Sequence, residues 1–333
     1  MTFPLLKLPF LAYEQVLLNF EVPDLVDFSF CSSRCHRIVQ SIRFPFSGLR
    51  VDVDCRLITL WFFEGITQWH FKPRLCKKIS DTENGWRRIG RNRIRIQKEP
   101  EWCSTLKNIK VAFDYVQDLF RLPVISYHIF NDRNLFPQWF GITKCEYFSI
   151  GSENKRVSND KLKYALETME ISGELALFMK KNDDFECGFV QFSMDVLRIF
   201  QAFWITNETF LAMDCARIEL HGNGNLPIRE FVSQWLSSRN TRFKWLKMTY
   251  REQINWNDGF KTMKWNPRTR GRNFQIECYY RVDCENGIDF LREDGLLASI
   301  VEKQSMIYFV VWHKRFQPEA DNFYLDEIEP DFL

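Results

Sequence analysis

Three runs of apolar residues at helical spacing crowd into Leu8–Ile42, and they limit what this end of the chain can be. Tyr13, Val16, Leu17 and Phe20 fall at i, i+3, i+4 and i+7, one face of a first helix opening after Pro9. Pro23 breaks that pattern, and Asp24 is placed to cap a second, very short helix carrying Leu25, Val26 and Phe28. Ser32 or Ser33 can cap a third, on which Cys35, Ile38, Val39 and Ile42 repeat the spacing. A module of about forty residues rarely stands alone. Leu11, Leu18 and Phe30 lie off its inward faces, and such surplus apolar surface calls for a docking partner.

The same residues resemble an F-box, without a gap from Leu8 to Val39. Leu8-Pro9 matches the opening pair, Val16 and Phe20 the positions that close the first helix, and Asp24-Leu25 the start of the second. Ser32-Ser33-Arg34 precedes the third core position. Leu11 stands where an acidic residue is usual, Ala12 where Ile is usual and Cys35 where Trp is usual. The resemblance implies docking on the Skp adaptor of an SCF-type cullin ubiquitin ligase. Leu8, Pro9, Val16, Leu17, Phe20, Leu25, Phe28 and Ile38 are the candidate Skp-binding residues, with the faces of Val16 and Leu25 foremost because buried aliphatic anchors dominate helical interfaces.

The 333 residues exceed the usual single core, so a small module plus a larger domain is expected. A hydrophobic content of 45%, with 32 Phe and 11 Trp, supports packed cores rather than disorder. A net charge of +2 demands neither nucleic acid nor membrane as a partner. The ten cysteines form no CxxC pair, and no His sits at ligand spacing from two of them. They read as reduced, buried small hydrophobes of an intracellular protein, cytoplasmic or nuclear. No stretch has the length of a membrane span, and the N-terminal segment lacks the basic and apolar regions of a signal peptide.

After Pro45 and Gly48 the pattern becomes that of short strands: residues 49–55, 56–63 and 67–73 read as a meander, and 81–90 as a loop. Residues 87–98 place six cations in twelve; their alternation favours an amphipathic strand, with Ile94 and Ile96 inward, over a nucleic-acid patch. Val111–Leu122 is helical by spacing and stopped by Pro123. Strands then recur at 124–130, 145–150, 174–178, 195–200, 217–220 and 244–248. A short helix or turn falls at 131–141, and helices run from near Ser158 to Met169, near Asn207–Met213 and over Ile228–Leu236. A period of roughly twenty to thirty residues suggests leucine-rich-repeat-like units; a plain α/β sheet is the alternative. Residues 272–280, 287–293, 296–302 and 306–313 alternate as an antiparallel meander, with Asp294-Gly295 a hairpin signal. The acidic segment 319–331 is expected to fray.

The expected fold class is therefore α/β, α+β overall. An F-box over 1–44 precedes a domain over 45–333, repeat-like at about 106–250 and ended by a β-meander at about 270–313. A second resemblance lies in Phe200–Tyr250. Trp204, Thr206, Thr209, Phe210-Leu211, the run Asp214–Leu220, Glu230-Phe231-Val232, Trp235-Leu236 and Asn240–Leu246 are similar to a type 2 F-box-associated domain. That implies a cargo-receiving role, although Phe231, Trp235 and Leu236 themselves read as a packing face.

No P-loop, GxGxxG, GxSxG, HExxH or kinase signature occurs, and five His leave few general-base candidates. The run His221–Asn225 reads as a turn rather than a phosphate cradle. Cys31, Cys35 and His36 lack a nearby carboxylate to orient the imidazole, and solvation explains Asp283, Glu285 and Asp289. The expectation is a non-catalytic adaptor without metal or cofactor, which docks on Skp and through it a cullin while holding a protein cargo. The rivals are a nucleic-acid-binding protein using residues 87–98 and an F-box scaffold acting outside a ligase.

Overall fold

The computed structural model describes residues 7–54, 57–62, 68–71, 86–89, 92–95, 106–130, 136–152, 157–179, 184–251, 254–277 and 280–313. The chain divides into two compact units, Met1–Ile171 and Ser172–Leu333.

The first unit opens with three helices, α1 (Phe10–Leu18), α2 (Val22–Phe30) and α3 (Ser33–Ser41). Strands β1 (Leu49–Asp54), β2 (Leu57–Phe62) and β3 (Gln68–Phe71) follow as the expected antiparallel meander. Strands β4 (Trp86–Ile89) and β5 (Asn92–Arg95) pair only with each other, so 86–89 is strand and not part of the expected loop. Ile96, Lys98, Trp102 and the acidic segment 319–331 lie outside the described residues. Helix α4 (Leu106–Phe120) begins earlier than its apolar spacing suggested and ends at Arg121, which takes a left-handed φ of 53°. Strand β6 (Val124–Ile129) lies parallel to β1, and β7 (Lys144–Ser152), reached through α5 (Pro137–Phe140), lies parallel to β6. Helix α6 (Asn159–Lys163) runs into a π-helical turn, Tyr164–Thr168.

The alternation in these strands sorts the two sheet faces. Leu49, Val51, Val53, Tyr127, Ile129, Phe148 and Ile150 are buried, as are Phe113 of α4 and Phe140 of α5, whose rings meet at 4.6 Å. The alternate positions are polar. Asp52 accepts hydrogen bonds from Arg50 Nε (2.8 Å) and Trp61 Nε1 (2.7 Å), and His128 Nδ1 lies 2.6 Å from Ser149 Oγ. Gly48 is required by close packing, since a Cβ there would come within 2.9 Å of the Pro123 carbonyl oxygen.

Strand β8 (Glu170–Met179), in the second unit from Ser172 on, is followed there by β9 (Val196–Ile199), β10 (Arg217–Leu220) and β11 (Trp245–Thr249), and the described pairings among β8–β9, β9–β10 and β10–β11 are parallel. Helix α7 (Asn207–Leu211) joins β9 to β10, and α8 (Ile228–Ser237) joins β10 to β11. Their alternate residues Leu197, Ile199, Ile218, Leu220, Leu246 and Met248 are all but fully buried. Strands β12 (Thr262–Lys264), β13 (Asn273–Glu277), β14 (Tyr280–Asp283), β15 (Ile288–Leu291), β16 (Leu297–Lys303) and β17 (Met306–Trp312) complete it, in the order β11-β17-β16-β15-β12 with β13–β14 a separate hairpin.

The architecture is thus a three-helix bundle followed by a mixed α/β region, with a small antiparallel hairpin near its end. Sequential parallel strands are what the strand–helix period requires. A regular repeat is not established: α7 has 5 residues and α8 has 10, and no helix lies between β8 and β9 among the described residues. Nor does the late meander close on itself, since β12 forms its outer edge. The Asp294-Gly295 turn forms as the sequence indicated, with Gly295 at φ 89°. The His221–Asn225 stretch is a turn: Gly222 sits at φ 85°, and Asn223 Nδ2 donates to the carbonyls of Ala202 and Ile205.

The β13–β14 hairpin packs through Phe274, Ile276 and Val282 against Trp245, Val301, Tyr308 and Val310. Asp289, expected in water, is instead buried and held by Arg270. Alternation alone could not reveal this, because Arg270 comes from an irregular segment nineteen residues earlier. Asp283 and Glu285 pair with Arg272 near the surface.

Candidate docking site

The module at the N-terminus is built from its caps inward. Ser32 is the N-cap of α3 and its hydroxyl accepts from the Cys35 amide at 3.1 Å. Pro23 does not break α2 but lies in its first turn, where a missing N–H leaves no helical bond unmade. The helix therefore starts at Val22 with Glu21 at the cap, rather than after Asp24. Leu17, Val22, Leu25, Val26, Cys35, Val39 and Ile42 make the interior.

The candidate docking residues divide into two groups. Leu17 and Leu25 are 0% and 1% exposed, so their side chains hold the bundle together and present nothing to a partner in this conformation. Leu8, Phe28 and Ile38 are half-buried, and Pro9 is exposed. Val16 and Phe20, each 36% exposed, face outward rather than lining the inner face that their spacing with Leu17 suggested. A nine-residue helix resting on two others can bury only a narrow stripe, and in α1 that stripe is Leu17. Phe10 and Leu11 extend the open apolar edge, Leu11 being 71% exposed. Leu11 was marked by its position off the helix face; Phe10 carried no such signal.

Part of α2 and α3 is covered by α4 of the same chain. Phe30 stacks on Tyr115 of α4 at 4.8 Å, and the Tyr115 hydroxyl lies 2.6 Å from Ser29 Oγ and 3.2 Å from His36 Nδ1. His36 Nε2 is 3.1 Å from Asp118 Oδ2, and Gln40 Nε2 donates to the Asp118 carbonyl at 3.0 Å. A carboxylate does therefore orient His36, one that the sequence places 82 residues away. Below the module's exit, Phe44, Phe46, Phe62 and Phe120 form one aromatic cluster, with centroids 5.1–5.7 Å apart between successive rings.

Cys31 is exposed while Cys35 is buried, so the two do not converge on His36 as a ligand set. Among the described residues no group of three or more His, Cys, Asp or Glu could hold a metal ion. Burial pushes the thiols of Cys145, Cys215 and Cys284 up to about 12, as befits inert packing residues. Among the described residues no helix is long and apolar enough to cross a membrane.

Residues 5–47 match the model of the F-box domain. Across most of its length the chain is similar to two proteins of Caenorhabditis elegans, each described as uncharacterized. It is 22% identical to F59B2.8 (94% of this chain, 78% of the relative) and 24% identical to F59B2.9 (95% and 80%). No solved structure matches. F-box domains dock and do not catalyse, and the chain carries an F-box-like three-helix motif of the kind found in adaptors of cullin-type complexes.

Proposed function

We propose that this chain is the substrate-recognition adaptor of an SCF-type cullin ubiquitin ligase, with the motif of residues 1–44 docking on a Skp-type adaptor and residues 45–333 holding a protein cargo. The observation that carries the reading is the apolar edge of Phe10, Leu11, Val16 and Phe20, left open on a module that matches the F-box model. Leu8, Pro9, Phe28 and Ile38 complete the proposed contacts, while buried Leu17 and Leu25 keep α1 and α2 in place. The mechanism is tethering: holding cargo and ubiquitin-loaded enzyme in one assembly raises the effective concentration of the cargo's lysines. The chain itself makes and breaks no bonds.

The similarity of Phe200–Tyr250 to a type 2 F-box-associated domain supports a cargo role for the second unit. Phe231 and Trp235 within it are buried and Leu236 is half-buried, so their part in that role is to shape the surface. The reading is tested by co-purifying the wild-type chain and a Leu8→Ala/Pro9→Ala variant with a Skp-type adaptor and identifying bound proteins by mass spectrometry. Adaptor and cullin are expected with the wild type and not with the variant. Adaptor without cullin would indicate a scaffold outside a ligase, and no adaptor in either preparation would end the proposal.

A further inference from the structure

The contact between the three-helix module and α4 is unlike the apolar packing around it. It is a relay of polar groups: Ser29 Oγ and the Tyr115 hydroxyl at 2.6 Å, Tyr115 and His36 Nδ1 at 3.2 Å, His36 Nε2 and Asp118 Oδ2 at 3.1 Å. Ser29 Oγ donates its proton to the Val26 carbonyl at 2.6 Å, so it accepts from the Tyr115 hydroxyl, and His36 bridges that hydroxyl and the Asp118 carboxylate through its two ring nitrogens. Gln40 adds a second bond from α3 to the Asp118 carbonyl, and the Tyr115 ring is stacked on Phe30 of α2. Two residues of α4, three apart, therefore engage both α2 and α3. Apolar packing tolerates sliding and small rotations; directional hydrogen bonds do not.

We propose that Tyr115 and Asp118 are positioning residues that lock the angle of the docking module on the first unit, without belonging to the docking face. The exposed edge of α1 lies on other residues, so docking affinity and docking geometry are separable in this chain. The proposal rests on the adaptor reading for its purpose, though not for its test: a tether whose module swivels delivers its cargo to many directions instead of one.

The test uses the full chain with nitroxides on Cys31 and on the thiol introduced by Glu146→Cys, in a background where Cys55, Cys76, Cys103 and Cys278 are Ser. Cys31 and Glu146 are exposed, and the remaining cysteines are buried. Pulsed electron–electron distance measurement is expected to give one narrow distribution in this background. Tyr115→Phe, which keeps the ring on Phe30, and Asp118→Ala should each widen it about twofold or more, because the released module samples further orientations. Asp118→Asn, which retains an acceptor for His36, should stay narrow. Helical circular dichroism should be unchanged throughout, and affinity for a Skp-type adaptor should remain within about twofold, readouts that an unfolded module would fail. Distributions for Tyr115→Phe and Asp118→Ala as narrow as the background's would overturn the lock. If the wild-type chain binds no adaptor, the docking reading falls while the distance widths still decide the lock.

Discussion

Arg270 grips Asp289 with both side chains 1% exposed: Nε lies 3.0 Å from each carboxylate oxygen and Nη2 lies 2.8 Å from Oδ1. Ser299 donates a further bond to the same carboxylate at 2.6 Å, and Arg270 Nη2 also reaches the Cys284 carbonyl. The guanidinium lies 5.3 Å from the centroid of the Trp312 ring. These bonds tie the segment leading into the β13–β14 hairpin to β15, β16 and β17.

Removing one partner leaves the other charged and enclosed. Asp289→Ala should destabilise the second unit by about 3–5 kcal/mol. The apolar pair Arg270→Met/Asp289→Leu should recover much of that loss, since neither desolvated charge remains. Chemical denaturation of the two variants checks the order; equal losses would show that packing rather than charge pairing is lost.

The module offers a contrast between core and surface. Leu25→Ala should cost about 2–5 kcal/mol because it opens a cavity in the buried interior of the module. Val16→Glu, at an exposed position of α1, should cost no more than about 1 kcal/mol yet abolish adaptor binding. Thermal unfolding beside an adaptor-binding titration separates the two effects.

Glu219 carries a pH dependence of defined sign. Burial by itself would raise its carboxyl, but hydrogen bonds from His221 (2.9 Å) and Lys247 (2.6 Å) hold it at about 2, against 4.5 when unfolded. The stabilisation is thus complete above pH 4.5 and is lost as pH falls toward 2. Over that window the second unit should lose on the order of 3 kcal/mol from this group, and Glu219→Gln should flatten the acid limb. Asp294, also held at about 2 by Arg292, is more exposed and contributes less. Denaturation midpoints measured across the acid range provide the check.

At the β15–β16 turn, Gly295 has φ 89°, and a Cβ there would meet nothing within 4 Å. Gly295→Ala should therefore cost about 1 kcal/mol through conformation alone, whereas Gly48→Ala should cost more because the added methyl group collides with Ile125 and the Pro123 carbonyl. Comparing the two melting temperatures distinguishes dihedral strain from steric exclusion.

Local chemistry was legible in the sequence alone. The Ser32 cap, the three helices, the Gly295 turn and the order of strands from β6 to β11 follow from side-chain periodicity and turn residues, which act over a few positions. Tertiary structure decided everything that joins distant residues. Val16 shares α1 with Leu17, and Phe20 follows just past the end of that helix at Leu18, yet of the three only Leu17 is enclosed, because the depth of burial depends on which neighbours arrive. His36 finds its carboxylate 82 residues away, and Asp289 finds its arginine across an irregular segment. Spacing along a chain determines which side chains can share a face, whereas packing determines which of those faces meets another and which stays open to a partner.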